Sequence, residues 1–179
     1  TTDTLVLIDS DARDLTAIHF RGSLYLTDLE VGLQARLFQH FNEDQPFRAI
    51  EQIQFGDGPV YQLSSDETGT GTAANDFIVV SQIIGTADGG AGDDILLAST
   101  NDDIFNYDLG DGNDIIVGFD VSEDVIDVAD TDFVDFADLL GSATQEGDDV
   151  VIEMSDGGSI TLADVLLNEL TSDDFDFGL

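Results

Sequence analysis

Short apolar runs separated by polar turns make up most of the chain. Between residues 69 and 128, five of these runs are each led by an aspartate. Phe77-Ile78 follows Asp76, Ile95-Leu96 follows Asp94, Ile104-Phe105 follows Asp103, Ile115-Ile116 follows Asp114 and Val125-Ile126 follows Asp124. The runs are too short for helices and are bounded by Gly, Asp, Asn and Ser, which is how strands between tight turns read. The unit recurs about every nine residues, although the step through Gly85 carries no aspartate. Two such units per coil predict an all-β fold, a flattened parallel β-roll. Asp76, Asp94 and Asp114 then fall on one edge, Asp103 and Asp124 on the other, and the apolar pairs form the inner strands.

The flanks read differently. Strands are expected at 5–8, 15–20, 23–26, 35–38 and 50–55, with Arg21-Gly22 as a hairpin turn. Ile50, Ile53 and Phe55 do not alternate, which predicts a bend or bulge, and Gly56-Asp57-Gly58-Pro59 ends the run in a turn. Near the C-terminus, residues 150–154 and 159–162 flank Ser155-Asp156-Gly157-Gly158 as a hairpin. Residues 133–140 and 163–170 read as short helices. The division expected is a β unit over 1–63, the roll over 64–128 and a cap over 129–179.

Charge sharpens the question of what holds the roll together. The 179 residues carry 39 acids against four arginines, for a net charge of −35. Arg13, Arg21, Arg36 and Arg48, together with His19 and His40, all lie in the first 48 residues, so nothing after them can neutralise the remaining acids. Such a segment must stay disordered, sit in high salt or bind cations. A hydrophobic content of 42% argues against disorder, and acids recurring at fixed turn offsets argue against general halophilic solvation. So negative a surface also disfavours nucleic acid and anionic membranes as partners.

Glycines sit at fixed offsets ahead of three of the aspartates. Gly89, Gly90 and Gly92 precede Asp94, Gly110 and Gly112 precede Asp114, and Gly71 and Ala73 precede Asp76. Glycine leaves main-chain carbonyls bare, and with a carboxylate these offer the all-oxygen shell that Ca²⁺ takes. These residues, with Asp103 and Asp124, are the candidate metal ligands. Without a cation, carboxylates stacked ~4.8 Å apart repel by about 0.9 kcal/mol per pair in water and ~3.5 kcal/mol at an effective dielectric of 20. With it, binding free energy becomes folding free energy.

The stretch Gly89-Gly90-Ala91-Gly92-Asp93-Asp94-Ile95-Leu96-Leu97 resembles the G-G-x-G-x-D-x-U-x calcium-binding repeat of RTX, or haemolysin-type, proteins at every fixed position. Asp3-Thr4-Leu5-Val6, Asp14-Leu15, Ser23-Leu24-Tyr25-Leu26 and residues 48–58 resemble the haemolysin-type calcium-binding-related domain, with Pro59-Val60-Tyr61 departing from it. Residues 110–116, Phe119, 124–127, 159–162 and 170–177 resemble the C-terminal cap of RTX exoproteins exported by type I systems. The resemblance implies a secreted, extracellular, calcium-folded module at the C-terminus of a larger bacterial protein, with the type I apparatus as its partner during export.

Other chemistry is poorly supported. There is no cysteine for a disulfide or thiolate metal site. No apolar run approaches the ~20 residues of a membrane-spanning helix. Thr1-Thr2-Asp3 lacks the basic start of a signal peptide. His19 and His40 have no metal-ligand spacing, and no H-E-x-x-H, G-x-S-x-G or P-loop occurs. The expectation is therefore a non-enzymatic module. Carbohydrate binding, surface adhesion or accessory service to a secreted enzyme are the alternatives. Asp57 is a further turn acid that could ligate an ion, and Phe175 and Phe177 fit either core or an exposed signal.

Overall fold

Strand formation follows the apolar runs from the first residues onward. A computed structural model of the chain describes residues 4–7, 15–20, 23–28, 34–37, 52–55, 58–63, 69–80 and 85–178. The early strands are β1 (Thr4–Leu7), β2 (Leu15–Phe20), β3 (Ser23–Asp28), β4 (Gln34–Leu37), β5 (Gln52–Phe55) and β6 (Val60–Leu63). β2, β3 and β4 form an antiparallel sheet in which Phe20 faces Ser23. The hairpin turn expected at Arg21-Gly22 lies outside the described residues. β5 pairs in unbroken register with β1 and with β6, so residues 52–55 hold no bulge; Ile50 lies outside the described residues.

The Asp-led runs alternate between two sheets. β7 (Thr70–Thr72), β9 (Thr86–Gly90), β11 (Ile104–Asn106) and β13 (Val125–Asp127) pair in parallel in one; β8 (Asp76–Val79), β10 (Ile95–Leu97) and β12 (Asn113–Val117) do so in the other. This is a parallel β-roll in an all-β fold. The register is the one the repeat dictates: Phe77, Ile95 and Ile115 lie side by side, as do Ala87, Phe105 and Ile126.

The chain closes with α1 (Phe136–Gly141) and the strands β14 (Ala143–Glu146), β15 (Asp149–Glu153), β16 (Ser159–Ala163) and β17 (Phe175–Asp176). β15 and β16 make the expected hairpin. β16 also pairs in parallel with β12, and β17 with β13, so each sheet gains a further strand. The result is a nine-stranded sheet in the order β1-β5-β6-β8-β10-β12-β16-β15-β14 and a five-stranded sheet in the order β17-β13-β11-β9-β7. Both roll sheets run across residue 128, and the longer one also joins β6 to β8.

The expected helix at 163–170 does not form. Ala163 ends β16, and Asp164 takes φ 57° while its N–H donates to the Asp149 carboxylate. The Gln145 amide then holds the next turn of chain: its Nε2 donates to the Val165 carbonyl and its Oε1 accepts from the Leu167 N–H. The apolar residues there look helical by spacing, but tertiary hydrogen bonds claim the backbone. The other helix is shorter than expected, starting at Phe136 after Asp135, whose side chain caps the Asp138 N–H.

The two sheets are buried differently, and composition records it. The space between them is filled by the second apolar residue of each unit, Ile78, Leu96, Phe105, Ile116 and Ile126, with Ala87, Tyr107 and Val128. The first apolar residue points the other way. In the nine-stranded sheet Phe77 and Ile95 are buried there too, against a second core that includes Leu7, Leu26, Ile53, Tyr61 and Leu63. Strands covered on both faces read as continuous apolar runs, as in Asp76-Phe77-Ile78-Val79. The five-stranded sheet leaves that face wet, with Ile104 44% exposed. Its strands alternate accordingly, as in Thr86-Ala87-Asp88. No helix among the described residues is long and apolar enough to cross a membrane.

Candidate metal centre

One edge of the roll is made by the turns entering the nine-stranded sheet, at 72–76, 89–94 and 107–114. The chain there leaves β7, β9 or β11 and must reverse onto β8, β10 or β12 within a few residues. Asp76, Asp94 and Asp114 all lie there, each no more than 2% exposed. They are laced together along the stack. The Asp76 N–H donates to Asp94 Oδ1 at 2.7 Å, and the Asp94 N–H to Asp114 Oδ1 at 3.0 Å. The glycines let neighbouring coils approach. A Cβ on Gly71 would collide with the Gly89 carbonyl, one on Gly90 with the Thr72 carbonyl and one on Gly112 with the Gly92 carbonyl. Gly90 also has φ 73°, a conformation side-chain-bearing residues rarely hold.

Two of the expected positions lie at the outside of their turns. Ala73 is exposed at its turn tip. Gly110 is exposed as well, and a Cβ there would meet nothing within 4 Å. The extra length of the third turn is taken up locally: the Asp108 N–H donates to Asp111 Oδ2, and the Tyr107 hydroxyl donates to the Gly112 carbonyl at 2.7 Å.

The opposite edge carries Asp103 and Asp124, 1% and 3% exposed, joined by the Asp103 N–H to Asp124 Oδ1 at 2.9 Å. Gly85 holds the next place in that stack, where its carbonyl accepts from the Ile104 N–H. The step of the repeat that carries no aspartate therefore still supplies a paired strand, β9, with Gly85 in the aspartate's place.

The carboxylates differ in how far the fold satisfies them. Asp94 Oδ2 is the one buried side-chain nitrogen or oxygen among the described residues with no hydrogen-bond partner. An orphaned buried carboxylate oxygen costs a few kcal/mol unless it is protonated or meets a cation. Burial pushes Asp94 up to about 7, against the Asp76 N–H bond that lowers it, with Asp76, Asp111 and Asp93 adding repulsion. Burial likewise pushes Asp114 up to about 8, with Asp94, Asp111 and Asp93 adding to it. Asp124 rises to about 6, and Asp103 is raised, again chiefly by burial.

No group of three His, Cys, Asp or Glu side chains among the described residues is placed to hold a metal. A shell here would draw mostly on main-chain carbonyls, a donor set that fits Ca²⁺ and excludes soft metals. With respect to such an ion, Asp94 and Asp114 would supply charge, and the glycine turns bare carbonyls. Asp57, His40, Arg13, Arg21 and Arg48 lie outside the described residues. Phe175 is core and Phe177 packs against it partly buried: Phe175 is 5% exposed and its ring meets those of Phe136 and Phe177 at centroid distances of 5.8 and 6.3 Å.

A second ladder went unread in the sequence. The Asp93 N–H donates to Asn75 Oδ1, the Asn113 N–H and Nδ2 donate to Asp93 Oδ1, and the Ser159 hydroxyl donates to Asn113 Oδ1. Its signal was the Asn or Asp just before Asp76, Asp94 and Asp114. These side chains tie coil to coil from outside.

No family model matches the chain, and no curated protein matches it. Among solved structures, the chain is similar to the crystal structure of the extracellular lipase LipA from Serratia marcescens, with TM-score 0.50 and 16% identity, over 98% of this chain and 32% of the lipase chain. It thus spans about a third of that protein's length. The solution structure of the AlgE6R3 subunit from the Azotobacter vinelandii mannuronan C5-epimerase aligns at TM-score 0.28 and 20% identity, over 69% of this chain and 87% of that one. What the lipase alignment shows is the fold: this chain is an all-β protein built on a parallel roll, of a kind also present in an extracellular enzyme.

Proposed function

We propose that the chain is a calcium-binding module whose roll folds when the ion binds, carried by a larger extracellular protein. The observation that carries this reading is Asp94 Oδ2, buried and unpartnered in the middle of a stack of carboxylates with no basic side chain after Arg48. A divalent cation removes the desolvation and repulsion at once. Mg²⁺ serves poorly, because it demands tight octahedral geometry and sheds its waters reluctantly. In the low calcium of a cytosol the chain stays unfolded and threadable. In the millimolar calcium outside it folds. The module itself does no chemistry, and its C-terminal portion directs export through a type I apparatus.

Far-UV circular dichroism of metal-stripped chain tests the folding claim: β signal rises on millimolar Ca²⁺ and rises far less on Mg²⁺. Full β signal in chelator would refute it. Export is tested separately with the whole chain fused after a passenger in a type I-competent host, where the passenger appears in the medium only if the reading is right.

A further inference from the structure

The residue four positions before each turn aspartate differs, and the hydrogen bonds differ with it. At Asp76 that residue is Thr72, whose N–H and hydroxyl both donate to Asp76 Oδ2, at 2.7 and 2.8 Å. At Asp103 it is Ser99, whose N–H reaches Oδ2 at 2.5 Å and whose hydroxyl reaches Oδ1 at 2.9 Å. At Asp124 it is Asp120, whose N–H donates to Oδ2 at 2.9 Å while Oδ1 takes the Asp103 N–H. In each of these turns at least one carboxylate oxygen is engaged from within its own loop.

At Asp94 the corresponding residue is Gly90, which has no hydroxyl. Its N–H turns instead to Asp88 Oδ1 at 3.0 Å, and Asp94 Oδ2 is left without a partner. Asp114 has Gly110 in that place, again with no side chain to offer. A hydroxyl could not simply be added at Gly90, because its Cβ would run into the Thr72 carbonyl. The glycine that permits close coil stacking is thus the residue that withholds the cap.

We infer that the residue four before each turn aspartate selects which turns take up the cation: Asp94 and Asp114 hold it, while the turns of Asp76, Asp103 and Asp124 are closed by their own caps and stay free of it. This rests on the calcium reading and narrows it to one stretch of one edge. Coordination competes with hydrogen bonds for the same lone pairs, so a capped oxygen is a poorer ligand than a bare one. Asp94 Oδ2 has no such bond to break.

Native mass spectrometry of the full chain in calcium tests this by counting bound ions in wild type, Asp94→Asn and Asp103→Asn. Asparagine can keep the Asp103 turn, accepting the Ser99 N–H on its oxygen and donating its amide to the Ser99 hydroxyl. The expected result is that Asp94→Asn loses at least one ion and Asp103→Asn loses none, with calorimetric Ca²⁺ affinity within about twofold of wild type. An ion lost from Asp103→Asn, or none lost from Asp94→Asn, overturns the inference while leaving calcium binding intact. A wild-type chain that carries no ion overturns the parent reading, and this one with it. Should Asp103→Asn fail to fold, Ser99→Ala gives the second measurement: an unchanged or increased ion count supports the cap, and a lost ion refutes it.

Discussion

The turns of Asp94 and Asp103 are nine residues apart and begin the same Asp-x-apolar unit, and both aspartates are 1% exposed. Both are also bonded along their stacks: Asp94 Oδ1 accepts from the Asp76 N–H and the Asp94 N–H donates to Asp114 Oδ1, while the Asp103 N–H donates to Asp124 Oδ1. They differ in what holds the rest of the carboxylate. Ser99 satisfies Asp103 from within its own turn, whereas the glycine turn leaves Asp94 Oδ2 bare. The same repeat position is therefore a finished structural joint in one coil and an unfinished one in the next. On the inference drawn above, a turn aspartate does not by itself mark a cation site; it takes the absence of a cap four residues earlier to do so.

The largest effect expected within this comparison is one that ignores it. Phe105→Ala removes a fully buried ring from between the sheets, just beyond Asp103. It should cost about 3–5 kcal/mol in saturating calcium, read from urea unfolding, without changing the dependence on calcium concentration. A changed dependence would mean that packing and ion binding cannot be separated here.

Asp94→Asn should come next, removing about 3 kcal/mol, the linkage gain expected at a hundredfold excess of ion over its dissociation constant. The Asp76 N–H can still be accepted by the amide oxygen. In chelator the order reverses: with a buried charge gone, the variant should show at least as much β signal in circular dichroism as wild type. Asp93 is no neutral control for this experiment, because its Oδ1 ties down Asn113 twice. Exposed Asp173 or Asp102 serves better.

Acid should partly replace the ion. In the metal-free fold Asp94, Asp114 and Asp124 stand at about 7, 8 and 6, above the ordinary 3.8. The folded chain then holds protons that the unfolded chain has released, so metal-free stability falls as pH rises from roughly 4 to 8. In chelator the β signal should be greater at about pH 5 than at about pH 8. Calcium affinity should run the other way, rising with pH as these groups ionise.

Ser99→Ala is the smallest effect, about 1 kcal/mol for a lost capping hydroxyl, read from urea unfolding in saturating calcium. A loss several times larger would make the second edge as fragile as the first.

Much of the roll was legible because the repeat forces it. Once Asp76, Asp94 and Asp114 recur with apolar pairs, stacking, register and edge assignment follow from period and chirality alone. What escaped depends on contacts distant in sequence. Gln145 claims the backbone of Val165 and Leu167, and nothing local in 163–170 announces that. β16 joins the roll by way of a hairpin rather than a repeat turn, so no Asp-x-apolar spacing marks it. Thr72, Ser99 and Asp120 were in plain view, but a cap is recognisable only once the strand ends place its donor four residues from the carboxylate. The burial of the nine-stranded sheet on both faces was written in its uninterrupted apolar runs, against the alternation of Thr86-Ala87-Asp88.

Urea unfolding across a series of free calcium concentrations tests the central claim most directly. Above its dissociation constant, each ion bound only by the folded chain adds about 1.4 kcal/mol of stability per tenfold rise in concentration. Wild type should show at least that slope, Asp103→Asn the same slope, and Asp94→Asn a slope smaller by one ion or more. A flat line for wild type, or one slope shared by wild type and Asp94→Asn, would contradict the account.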